Sequence, residues 1–128
     1  MSTAITEGIQ VFVKNDFYPE YSDIEKNQFF FSYQVEIQNK SPYVVQLLSR
    51  EWYVFDSMES FKVVSGTGVI GQQPIIEPGE VYSYRSGCMI HSEIGYMEGH
   101  YTFVNKSLDT TFLVEIPRFD LYYPGILN

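Results

Sequence analysis

The sequence predicts an all-β fold, a two-sheet antiparallel β-sandwich. Three observations carry that expectation. Apolar and polar residues alternate with period two in several stretches. Turn-forming residues separate those stretches at short intervals. No window sustains the i, i+3, i+4, i+7 apolar spacing of an amphipathic helix. A chain of 128 residues with 45% hydrophobic and 19% charged residues has globular composition. At this length it buries roughly two-thirds of its unfolded surface, enough for one core, so a single domain is expected over residues 1–128.

The elements follow in order. Ile9, Val11 and Val13 alternate with Gln10, Phe12 and Lys14 as a first strand. Phe29 to Gln38 is the clearest strand: Phe29, Phe31, Tyr33, Val35 and Ile37 share one face, and Phe30, Ser32, Gln34, Glu36 and Gln38 the other. That pattern suits a sheet with one buried face. Asn39-Lys40-Ser41-Pro42 marks a turn. The β-rich stretch Tyr43 to Phe55 is interrupted at Arg50-Glu51, a candidate bend between two sheets. Asp56-Ser57 turns the chain into a short strand, Phe61 to Val64. Gly66 to Gly71 is a glycine-punctuated loop, and Pro74, Pro78 and Gly79 bracket Ile75-Ile76. Val81 to Arg85 is β-rich, and Tyr96–Asn105 with Thr110–Ile116 reads as a hairpin over Lys106 to Asp109. Pro117 is expected to end the last strand, leaving an aromatic tail from Arg118 to Asn128. Seven or eight short strands of this kind make a sandwich. No cysteine pair flanks Trp52, which argues against the disulfide-bearing antibody type.

Charge narrows the partners. Eight Lys plus Arg against sixteen Asp plus Glu give a net charge of −8. The basic residues are scattered singly along the chain, whereas nucleic-acid binding needs a cationic face that displaces counterions. Neither nucleic acid nor an anionic membrane is expected as a partner. The lone Cys88 has no intramolecular disulfide partner, which fits a reducing compartment. Met1 to Gly8 has neither the cationic nor the apolar region of a secretory signal, and no run of about 18 apolar residues occurs. The cytoplasm is the expected location.

Several strings resemble the ApaG family of bacterial proteins. They are Phe29–Ile37, Gln46-Leu47-Leu48-Ser49-Arg50-Glu51-Trp52, Gly66-Thr67-Gly68-Val69-Ile70-Gly71-Gln72-Gln73-Pro74, Pro78-Gly79-Glu80 and Gly95-Tyr96-Met97-Glu98-Gly99-His100-Tyr101. Their shared order over roughly residues 7–126 makes the resemblance specific. It implies a small cytoplasmic sandwich similar to fibronectin type III and immunoglobulin domains. It also implies a protein-interaction role, as for the related domains of eukaryotic F-box proteins and of a DNA polymerase partner. A genetic link to cobalt and magnesium tolerance comes with it.

Three candidate sites arise from the residues. Gly66, Gly68 and Gly71 form a G-x-G-x-x-G string. A dinucleotide site needs a helix after such a string to receive the pyrophosphate, and Pro74 and Pro78 exclude one. An anion nest of glycine N–H groups remains as a phosphate-binding reading, against a plain sandwich loop. His91, Glu93, Glu98 and His100 flank Ile94–Met97. If those four residues close a hairpin, two imidazoles and two carboxylates share one face, a set able to hold a divalent metal; a polar hairpin end is the plainer alternative. Finally, a sandwich this size does not bury every one of 11 Tyr and 10 Phe. Tyr82, Tyr84, Phe119, Tyr122 and Tyr123 are candidates for a protein-binding surface, because aromatic rings bury much area with few torsions. Phe12 and Phe30 also face away from the core side of their strands. Neither a nucleophile elbow nor a Walker loop is present, and Cys88 reads as an inert thiol. The expectation is a non-enzymatic protein without a cofactor, binding another protein or a second copy of itself.

Overall fold

The computed structural model describes residues 1–58 and 60–127. The strands are β1 (Ser2–Thr6), β2 (Ile9–Phe17), β3 (Phe29–Asn39), β4 (Val45–Asp56), β5 (Ser60–Thr67), β6 (Ile75–Ile76), β7 (Val81–Ile90), β8 (Ile94–Asn105) and β9 (Thr110–Tyr122). Helical structure among the described residues is confined to three short 3₁₀ turns. One sheet runs β1-β2-β3-β7, the other β5-β4-β8-β9 with β6 also on β4, and every pairing is antiparallel. The alternation of Phe29 to Gln38 is realised directly. Phe31, Val35 and Ile37 are at most 1% exposed, and their polar neighbours point outward.

Between the sheets the core is aromatic at its centre. Tyr33 and Trp52 rings lie 5.4 Å apart at 60°, and Trp52 meets Phe119 edge-on at 5.9 Å. Such edge-to-face pairs add about 0.5–1.5 kcal/mol beyond their buried area. Tyr101 is completely buried, and its hydroxyl hydrogen-bonds the Tyr84 hydroxyl. Burial pushes both phenols well above their usual ionisation, so they remain neutral donors and acceptors.

Two bulges set which way side chains face. In β4 the register with β8 shifts between Leu47 and Ser49. This extra residue, Leu48, restores an inward direction to Arg50, Trp52 and Val54. No bend between sheets occurs at Arg50-Glu51; β4 continues to Asp56. In β9 the residues Pro117 and Arg118 together oppose Glu98. Pro117 therefore does not end the strand. A bulge needs no ladder donor there, and β9 runs on to Tyr122.

Other boundaries differ from the sequence expectation. β1 is an added strand, joined to β2 by the two-residue turn Glu7-Gly8 with φ 48° and 82°. Positive φ at both positions gives the turn whose twist matches paired strands. β7 extends past Arg85 to Ile90 because Gly87 admits the Phe30 ring of β3 above it. The expected tail is strand as far as Tyr122 and a short 3₁₀ turn beyond; Asn128 lies outside the described residues.

The sandwich has unequal sides. On one, β9 packs against β1 and β2; Asn15 Nδ2 donates to the Asp120 carbonyl at 2.8 Å, and the Glu115 N–H to Thr6 Oγ1 at 3.1 Å. On the other, β5 and β7 are the outermost strands of their sheets and a cleft lies between them.

Candidate functional site

The four residues of the expected metal set are not brought together. β7 and β8 belong to different sheets, and the chain crosses between them through His91, Ser92 and Glu93. The hairpin that would face Glu93 with Glu98 and His91 with His100 therefore does not form. In the crossing, the His91 N–H donates to Asp56 Oδ2 at 2.6 Å, and His91 Nδ1 is 3.1 Å from the Asn27 carbonyl oxygen. The exposed Glu93 accepts the Tyr123 N–H at its carbonyl, 2.9 Å away. His100 stands about 20 Å along β8 from Ile94 at a strand's usual rise. There its Nε2 is 3.1 Å from Glu51 Oε2. Glu98 takes Arg118 in a two-point contact, 3.1 and 3.2 Å. Among the described residues no three His, Cys, Asp or Glu side chains gather as metal ligands would. Asp56 instead organises the crossing. Burial on its own would raise its carboxyl. Bonds from the Ser92 hydroxyl and the His91 and Met58 N–H groups outweigh that and hold it below the ordinary range.

The three glycines serve three different purposes. Gly66 lies in β5 opposite Arg50, and a Cβ there would sit 2.9 Å from Arg50 Nη2. Gly68 has φ +63°, and its Cβ would sit 2.1 Å from the Gln72 carbonyl oxygen. Gly71, with φ +71°, completes a tight turn with Ile70, whose φ is 48°. The Val69 and Gln72 backbones bond each other across that turn at 2.8 and 2.9 Å, and the Gly68 N–H donates to the Leu48 carbonyl at 2.8 Å. The Val69 and Gln72 N–H groups are thus committed within the loop and the Gly68 N–H to β4, rather than presented to a phosphate.

The aromatic candidates divide. Phe119 is 3% exposed and belongs to the core, because the Pro117-Arg118 bulge resets the alternation of β9 and turns it inward. Tyr82 and Tyr84 are half-buried against the core; their hydroxyls bond Gln72 Oε1 and Tyr101. Tyr123 fills the end of the sandwich between Phe17 and Phe29, at centroid distances of 5.1 and 5.3 Å. Tyr122 alone of the five is exposed, at 46%. Phe30 is covered by Tyr21 of the first 3₁₀ turn, Pro19–Tyr21, and by Tyr18 just before it.

The surface that gathers aromatic side chains is a different one, the outer face of the five-stranded sheet. Phe55 of β4 stacks on Tyr96 of β8 at 5.0 Å, and Phe61 of β5 meets both rings edge-on at 5.8 and 6.1 Å. The Arg118 guanidinium, turned outward by the β9 bulge, lies 3.8 Å above the Tyr96 ring. Beside them Tyr53 packs near His100, which pairs with Glu51. Phe61 and Val63 are 56% and 57% exposed. The sequence signal for this face is that Tyr53 and Phe55 alternate with Trp52 and Val54, so that both faces of one strand are apolar. A strand exposed on one side has no folding reason for that pattern. Cys88 sits in the wall of the lateral cleft, where burial pushes its thiol up to about 11, so the nucleophilic thiolate is scarce at neutral pH.

Comparison with known proteins is consistent across sequence and structure. The family model described as ApaG domain matches residues 19–105. The chain is 44% identical to Protein ApaG of Anaeromyxobacter sp. (strain K) over the whole of both chains. It is 42% identical to Protein ApaG of Mesorhizobium japonicum, covering 98% of this chain and 95% of that one. The crystal structure of the putative ApaA protein from Bordetella pertussis superimposes with a TM-score of 0.85 at 38% identity, covering 95% of each chain.

Proposed function

The chain belongs to the ApaG domain family, and from that premise we propose that it is a non-catalytic protein-interaction module. Its binding surface is the outer face of the five-stranded sheet. The observation that carries this reading is the cluster of Phe55, Phe61 and Tyr96 under Arg118, on a face that no other part of the described chain covers. One exposed ring, Phe61, beside the two half-buried rings of Phe55 and Tyr96, rimmed by the Glu51–His100 and Glu98–Arg118 pairs, matches the composition of interface centres, where aromatics and arginine are enriched. A charged rim worth little in affinity still fixes orientation and rejects wrong partners. The reading places the protein in the cytoplasm, where a lone thiol stays reduced.

The test is photocrosslinking in the native host from a benzoylphenylalanine placed at Val63, with Ser83 on the other sheet as control. The expected result is a discrete adduct from position 63 that disappears when Tyr96→Ser is added. An adduct at twice the chain mass identifies a second copy as the partner. Equal labelling from both positions, or an adduct indifferent to Tyr96→Ser, contradicts the assignment.

A further inference from the structure

The cleft on the open side of the sandwich, between the outermost strands β5 and β7, measures about 300 Å³, the low end of the range for small-ligand sites. We propose that it binds a small organic anion, a carboxylate or phosphate monoester, with the anionic head on Arg50 and Lys62 and an apolar body against Val54, Val64 and Met97.

Arg50 reaches the cleft because of the Leu48 bulge, which gives it the inward direction of Trp52. Its Nη1 donates to the Thr67 and Gly68 carbonyls at 3.1 and 2.8 Å. That leaves Nε and Nη2 without a hydrogen-bond acceptor, and the guanidinium without a carboxylate, among the described residues. A half-buried cation in that condition favours an anion arriving from solution. Lys62 lies on the same face of β5, again without an ion pair among the described residues. Ser86, which hydrogen-bonds the Tyr33 hydroxyl, adds a polar group to the opposite wall. Among the described residues none that lines the cleft is acidic, in a protein whose net charge is −8. Asp56, whose charge acts on Cys88 in the cleft wall, commits its two carboxylate oxygens to the Met58 and His91 N–H groups. Two cations, an apolar floor and no carboxylate among the described lining residues define the ligand class. Recognition here is by side chains, unlike the backbone nest expected at the glycine loop.

The only tryptophan, Trp52, lines the cleft and reports occupancy. Sodium benzoate and phenyl phosphate are titrated separately while Trp52 fluorescence is followed, with benzyl alcohol as the neutral probe of matching shape. The expected result is a saturable change with at least one anion, at a Kd of about 1 mM or tighter, and none with benzyl alcohol. The tighter anion identifies the head group. Lys62→Gln should weaken binding by about threefold or more with the melting temperature unchanged. Arg50→Lys, which keeps the charge but loses the planar fork, should weaken it by about tenfold. Where Arg50→Lys fails to fold, Lys62→Gln and the neutral probe decide. Absence of saturation with both anions, an equal response to benzyl alcohol, or wild-type affinity in Lys62→Gln overturns the proposal.

Discussion

Alanine at each of Gly66, Gly68 and Gly71 separates three physical roles within one motif. At Gly68 the new Cβ meets the Gln72 carbonyl oxygen at 2.1 Å. Ordinary contact begins near 3.4 Å, so that oxygen must retreat by more than about 1 Å. The same oxygen accepts the Val69 N–H at 2.8 Å, and losing that bond costs about 1 kcal/mol. The left-handed backbone adds about 1–2 kcal/mol for any residue with a Cβ. Gly68→Ala should therefore cost about 3 kcal/mol, which at this chain length lowers Tm by roughly 10 °C. Gly71 has the same backbone handedness but nothing within 4 Å of its Cβ, so only that backbone cost applies, about 1 kcal/mol at the low end of the same range. At Gly66 the obstacle is the end of the Arg50 side chain, 2.9 Å away. That end can swing aside at the expense of its bonds to Thr67 and Gly68, an intermediate cost of about 1–2 kcal/mol. Urea unfolding of the three variants, followed by circular dichroism, gives the ranking directly. Equal costs, or a Gly68→Ala cost below about 1 kcal/mol, would refute the assignment of the motif to loop geometry.

Four further outcomes follow from the same geometry. Gly99→Ala should destabilise by about 3 kcal/mol or more in urea, because its Cβ would lie 2.0 Å from the Glu51 carbonyl oxygen in the paired strand; a cost below about 1 kcal/mol contradicts that packing. Phe119→Ala should cost about 3–5 kcal/mol as a core truncation, while Tyr122→Ala, at a half-exposed position, should cost far less; similar values would return Phe119 to the surface. The native Asp56 carboxyl is held below its ordinary value of 3.8, so in the acid range the unfolded chain binds more protons than the native one. Its contribution is therefore present above about pH 5 and lost as the pH falls through the native value; the stability gap between wild type and Asp56→Asn should shrink on acidification, and a gap constant with pH contradicts the linkage. Arg118→Gln should leave the urea midpoint nearly unchanged, since its pair with Glu98 is solvent-exposed; a clear fall in the midpoint makes Arg118 structural.

Much of the sandwich is legible in the alternation of Phe29 to Gln38 and in the turn residues that follow it. What is not legible comes from the bulges. Period two predicts facing only while the count of residues stays in step. The extra residue in β4 at Leu48 and the two-against-one pairing at Pro117-Arg118 each shift that count. The second shift explains why Phe119, placed in a tail by the sequence pattern, is a core ring beside Trp52. The metal set at His91, Glu93, Glu98 and His100 depends on whether two neighbouring strands share a sheet, which no local pattern encodes. The glycine loop presents the opposite case, since the prolines after it already exclude a helix. The aromatic outer face at Phe55, Phe61 and Tyr96 leaves a readable trace in its doubly apolar strand, but only the cross-strand register assembles its rings into one patch.

The binding role turns on one measurement, the affinity of the purified protein for the partner crosslinked at Val63, compared between wild type and Tyr96→Ala. Tyr96 sits between Phe55, Phe61 and Arg118, so as the centre of the interface its truncation should cost about 2 kcal/mol or more, a loss of roughly 30-fold in Kd. Stability in urea should change by much less. An unchanged Kd, with the variant folded, would contradict the assignment of this face as the binding surface.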